Sequence, residues 1–210
     1  LAMAGMYFFV RSLRISHIGQ IGRWPSWIAG VSFGLSGFFV GRIYAGHIDI
    51  IAASAWLPIV LAMFLRLIEQ PTRKRLIVAG LCLAVQIFAG YQTIAIFTLE
   101  ALALLTIFVS LRKRAFLPVI FSVIAAIIGL GIAAVQLFPN AKFVSESVRS
   151  LPLPYEWSTS STPTPYHLLE LIDPYFFYER IPNVPFGHEH ASYIGKLPLL
   201  FMVVVLVWMI

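Results

Sequence analysis

The feature that most limits what this chain can fold into is a nearly unbroken apolar stretch over residues 76–111. As one helix, those 36 residues would be about 54 Å long. The hydrocarbon core of a bilayer is only about 30 Å thick. The stretch must therefore reverse, and Gly90-Tyr91-Gln92 near its middle is the expected turn. Glycine permits the reversal, and tyrosine suits an interface.

The reading of the stretch as membrane-embedded rests on composition. Only 11% of the residues are charged and 60% are hydrophobic, with a mean hydropathy of +0.88. Soluble domains carry about 25% charged residues, so a globule of this composition would lack polar surface. Further apolar runs cover residues 1–10, 26–43, 50–65, 115–138 and 197–210. The first and last are too short to span and read as cut ends of longer segments. The first also lacks the basic flank and small-residue cleavage site of a signal peptide. Cys82 is the one cysteine, so no intrachain disulfide forms, and its apolar surroundings suit a small core residue.

Charge gives the chain a direction. Arg11, Arg14 and Arg23, then Arg66, Arg73, Lys74 and Arg75, then Arg112, Lys113 and Arg114 hold ten of the 15 Lys and Arg. With a turn at Tyr91 all three clusters fall on one side, which the positive-inside rule makes cytoplasmic. Seven of the nine carboxylates fall on the other. The net charge of +6 is thus distributed as membrane topology requires. It forms no contiguous phosphate-tracking face, which argues against nucleic acid.

The expected fold class is all-α. It is a polytopic transmembrane helical bundle of about five full spans plus two truncated ones, with one extracytoplasmic loop region of short helices. The bundle covers residues 1–138, with spans near 1–10, 26–43, 50–65, 76–92, 93–111 and 115–138. The loop region covers 139–195 and a truncated span 196–210. Gly30, Gly34, Gly37 and Gly41 form a small-residue stripe suited to close helix packing, and Ala125, Gly129 and Ala133 repeat it. Pro58 and Pro118 are expected to kink their helices. Residues 139–195 hold eight of the 13 prolines, ten aromatics and three of the five histidines. Short helices are expected at 140–151 and 166–172.

Several groups can carry chemistry. Arg42, Tyr44, His47 and Asp49 cluster at the outer end of the second run. An arginine beside a histidine there can hold a phosphate, and Asp49 can act as a base. The plainer alternative is an interfacial anchor with an Arg42–Asp49 ion pair. Glu100 falls about two turns into the fifth run, where a carboxylate usually faces a cavity or a partner. Its plainer role is a hydrogen bond to Gln86 or a neighbouring helix. Lys142 and Arg149 share a helical face and can contact an anionic headgroup; solvated charge balancing Glu146 is the alternative. His188 and His190 flank Glu189, and with His167 or Asp173 could form a metal site, although no HExxH helix is present. No cofactor is expected, and no nucleotide-binding or zinc-finger pattern occurs.

The order of several short motifs resembles the YfhO family of bacterial membrane proteins. They are Ser36-Gly37-Phe38 through Arg42, Gly46-His47, and Ala53-Ser54-Ala55-Trp56-Leu57-Pro58. The series continues with Ala89-Gly90-Tyr91, Val135-Gln136-Leu137-Phe138-Pro139 and Ser147-Val148-Arg149-Ser150. It ends with Tyr193-Ile194-Gly195 before Leu197-Pro198-Leu199. The resemblance implies a GT-C-like glycosyltransferase of the bacterial plasma membrane. Its expected partners are a polyprenyl-phosphate sugar donor, membrane lipids and a cell-envelope polymer acceptor. It implies donor-phosphate binding by Arg42, His47, Lys142 and Arg149, and secondary carboxylate roles for Asp49 and Glu146. Tyr91, Gln92, Glu100, His188 and His190 are then cavity-lining candidates. Where the family often has Gly-His-Pro-Gln at the hairpin turn, this chain has Gly90-Tyr91-Gln92-Thr93, so no histidine role carries over. The acidic residue of a GT-C first outer loop is expected upstream of Leu1. Two rival readings are a transporter or flippase of lipid-linked intermediates, motivated by Glu100 and Gln86, and a non-catalytic membrane scaffold.

Overall fold

The computed structural model describes residues 1–15, 19–147, 150, 155, 169, 171–173, 193–196, 198–200 and 204. Apart from a two-residue antiparallel bridge, β1 (Arg14–Ile15) with β2 (Gly19–Gln20), the described elements are helices. They are α1 (Ala2–Ser12), α2 (Arg23–Gly34), α3 (Gly37–Tyr44), α4 (Ile48–Glu69), α5 (Arg73–Phe88), α6 (Gln92–Lys113) and α7 (Leu117–Ser145). Four stretches are long and apolar enough to cross a membrane: α2 with α3, α4, α6 and α7. The 22 residues of α4 and of α6 give about 33 Å each, close to the hydrocarbon thickness.

The expected hairpin is present. α5 ends at Phe88, Gly90 takes φ +104, and Tyr91 caps the start of α6. Only glycine adopts that φ without strain. α5 starts from a Thr72 cap whose hydroxyl accepts from the Arg75 amide at 3.2 Å. A buried polar lock fixes how the hairpin sits on α4. Gln86, fully buried, donates to the Ala53 carbonyl at 3.0 Å and to Thr98 Oγ1 at 2.8 Å. One side chain thus joins α4, α5 and α6. Val60, Phe64 and Leu67 of α4 and Leu83 and Ile87 of α5 belong to the buried apolar core.

The glycines do what small residues do between helices. A Cβ on Gly80 would lie 2.9 Å from the Ala125 carbonyl, and one on Gly129 would lie 2.8 Å from the Gly80 carbonyl. The backbones of α5 and α7 are therefore in direct contact. Gly30 and Gly34 admit Met3 of α1 in the same way.

Three boundaries differ from the sequence reading. The run over residues 26–43 is not one helix. It breaks at Leu35–Ser36, and the Gly37 amide freed by the break donates to the Tyr193 carbonyl at 2.6 Å. Pro118 lies in the first turn of α7, where a missing N–H costs nothing, so it starts a helix instead of kinking one. No separate short helix begins at residue 140. α7 runs through Pro139 to Ser145, and its 29 residues make about 43 Å, longer than a hydrocarbon core.

Side-chain contacts gather the three basic clusters at one end. Arg66 Nε donates to Ser12 Oγ at 3.1 Å, joining α4 to the end of α1. Arg11 reaches the Ile21 carbonyl at 2.7 Å, and Lys113 Nζ reaches the Ile68 carbonyl at 3.0 Å. The opposite end carries the α3–α4 loop, the Gly90 turn and the C-terminus of α7. Between the ends, large apolar side chains on α6 and α7 face outward, among them Leu104, Phe108, Ile127 and Val135. Apolar surface of this extent calls for lipid or another helix against it.

Candidate functional site

The end opposite the basic clusters is built around a tight loop. α3 stops at Tyr44, Gly46 turns the chain with φ +75, and His47 precedes the first residue of α4. The His47 amide donates to the Arg42 carbonyl at 3.0 Å. The side chains follow the backbone: Arg42 NH1 lies 3.2 Å from His47 Nδ1. Guanidinium has only donors, so Nδ1 is the accepting atom of this bond. Arg42 also sits over the Phe38 ring, 5.6 Å from its centroid, one helical turn earlier. The cation is thus held from two sides.

Asp49 lies in the first turn of α4, where the helix dipole favours a carboxylate. It is exposed, and its Cβ is 3.8 Å from where a Gly90 Cβ would sit. The hairpin turn with Tyr91 and Gln92, both half-buried, therefore abuts Asp49. The expected Arg42–Asp49 ion pair does not form, because Gly46 turns His47 back onto the guanidinium in its place.

Beneath this loop a cavity of about 360 Å³ opens at the α2–α3 break. Phe33, Phe38, Tyr193 and Pro198 line it. Phe38 carries Arg42 and walls the cavity, so an apolar pocket adjoins the arginine. Sequence reasoning missed this role of Phe38, although its spacing of four from Arg42 was a usable signal. The contact with Tyr193 had no local signal at all.

Other candidates lie elsewhere. Lys142 and Glu146 face each other at 4.0 Å on the last turn of α7, with side chains 77% and 67% exposed. That is the solvated charge balance weighed above, and no contact joins the pair to Arg42 or His47. Glu100 does not bond Gln86. It lies on the exposed face of α6 with no partner among the described residues, while Gln86 is sealed in the core. Arg149, His167, His188 and His190 lie outside the described residues. Among the described residues, no group of three or more His, Cys, Asp or Glu is placed to hold a metal ion.

What the loop offers chemically is a fixed guanidinium, an imidazole and a nearby exposed carboxylate, beside an apolar cavity. Such a set can bind a phosphate and accept a proton. Compared with protein families, characterised proteins and solved structures, the chain matches none of them.

Proposed function

We propose that this chain belongs to a multi-pass protein of the bacterial plasma membrane that transfers a sugar from a polyprenyl-phosphate donor to a cell-envelope acceptor on the outer face. The carrying observation is the Arg42–His47 pair beside an apolar cavity, at the end of the bundle remote from the ten clustered cations. In this reading the cationic end is cytoplasmic and Arg42 lies at the outer headgroup level. The motif order shared with the YfhO family supports a GT-C-like assignment.

The chemistry assigns each group a task. The acceptor hydroxyl attacks the anomeric carbon, forming a C–O bond while the bond from that carbon to the phosphate oxygen breaks. The phosphate leaves with the electron pair, and Arg42 with His47 stabilises the charge that develops on it. The hydroxyl proton goes to a carboxylate. Asp49 is the candidate within this chain, and the GT-C first-loop acid is the candidate beyond it. The prenyl chain occupies the cavity under Phe38, and Tyr91 and Gln92 border the sugar. A transporter reading draws less support, since Gln86 is sealed in the core and Glu100 points away from it.

The test is incorporation of labelled sugar into envelope polymers, in cells with and without the protein. Loss of label from one polymer is the expected result. Unchanged incorporation into every polymer would overturn the reading.

A further inference from the structure

A polar cavity lies at the other end of the bundle, and the proposed glycosyl transfer does not use it. Its volume is about 610 Å³. It opens between the C-terminal ends of α1 and α4 and the N-terminal turn of α5. Among the described residues, four cations line it, Arg11, Arg66, Lys74 and Arg75, against a single carboxylate, Glu69.

Three of the cations are anchored without being neutralised. Arg11 donates to the Ile21 carbonyl, Arg66 to the Ser12 hydroxyl, and Arg75 to the Arg66 and Gln70 carbonyls. Every one of those acceptors is uncharged. Lys74 and Glu69 make no hydrogen bond or ion pair among the described residues. The cavity therefore holds a net surplus of positive charge, with the guanidiniums fixed in place by the fold. Like charges that share one cavity repel, and an anion or solvent relieves that repulsion. The Thr72 cap lining the same cavity adds the positive end of the α5 dipole.

From this geometry we propose that the cavity is a phosphate-binding site. The cavity is large enough for a small ligand. A guanidinium matches phosphate oxygens through paired N–H donors, and a lysine serves as a point charge. The cavity sits at the end of α4, which is long and apolar enough to cross a membrane, and a bilayer presents phosphodiester headgroups at that depth. Basic pockets between helix ends are where anionic lipids dock. A soluble phosphate compound offers the same chemistry from the aqueous side. The site stands independently of the sugar-transfer reading.

The experiment measures ligand-dependent thermal stabilisation of the purified protein in a neutral detergent. One arm adds phosphatidylglycerol against phosphatidylcholine, and the other adds inorganic phosphate. Lys74→Gln is expected to weaken binding about fivefold and Glu69→Gln to strengthen it about fivefold. Neither side chain has a protein partner among the described residues, so both variants keep the fold. Stabilisation by phosphatidylglycerol alone, with those opposed shifts, assigns the site to a lipid headgroup. The same shifts with inorganic phosphate assign it to a soluble ligand. The proposal is overturned if neither ligand stabilises the protein, or if both variants bind like the parent chain.

Discussion

Gly129→Leu is expected to destabilise the bundle by about 3 kcal/mol or more, and Gly80→Leu by a similar amount. At both positions the added Cβ meets a backbone carbonyl, at 2.8 Å from Gly80 O and 2.9 Å from Ala125 O respectively. A side-chain tip can rotate away, but a carbonyl held in a helical hydrogen bond cannot. α5 and α7 must then separate, which loosens Leu83 and Ala125 in the core. Gly131 supplies the control. It lies one residue beyond the contact turn, and a Cβ there would meet nothing within 4 Å. Gly131→Ala is therefore expected to be neutral or stabilising by up to about 1 kcal/mol through helix propensity. Denaturation in detergent of the three variants measures the contrast. Equal loss at Gly129 and Gly131 would mean that α5 and α7 do not touch as described.

Arg42→Ala is expected to lower sugar transfer about 10²- to 10³-fold, the usual loss when one donor to a developing oxyanion is removed. Arg42→Lys keeps a charge but loses the planar fork and the stacking on Phe38, so recovery is expected to be partial. Glu146→Gln provides the comparison. Its exposed pair with Lys142 is worth no more than about 1 kcal/mol, so less than a tenfold change is expected. Initial rates with the reconstituted protein and a polyprenyl-phosphate sugar check the ranking. If Arg42→Ala behaves like Glu146→Gln, the loop holds no donor phosphate.

The hairpin was legible because two lengths conflict: 36 apolar residues against a bilayer about 30 Å thick. Glycine at the midpoint then named the turn. The grouping of the cations was legible for a related reason, since reversing the chain at Tyr91 fixes which loops share an end. Helix orientation was not legible. α6 is apolar on nearly every face, so its pattern carries no rotational phase, and the outward direction of Glu100 could not be read from spacing. The break at Leu35–Ser36 depends on the Tyr193 carbonyl, which is remote in sequence. Gly46 decided the partner of Arg42: its left-handed φ returns His47 to the guanidinium and leaves Asp49 facing the hairpin turn. The basic clusters were read only as topology markers. That four of their side chains share a cavity emerges from the packing of α4 against α1 and α5.

The claim on which the functional account turns is that the Arg42 loop and the Lys74 cavity face opposite sides of a bilayer. Cys82→Ala gives a background free of cysteine, because Cys82 is the one cysteine of the chain. Single substitutions Ile48→Cys, Tyr91→Cys and Lys74→Cys then report three positions to a membrane-impermeant maleimide. On intact cells the account predicts labelling at positions 48 and 91, with position 74 reactive only after permeabilisation. Labelling of positions 48 and 74 from the same side would contradict it.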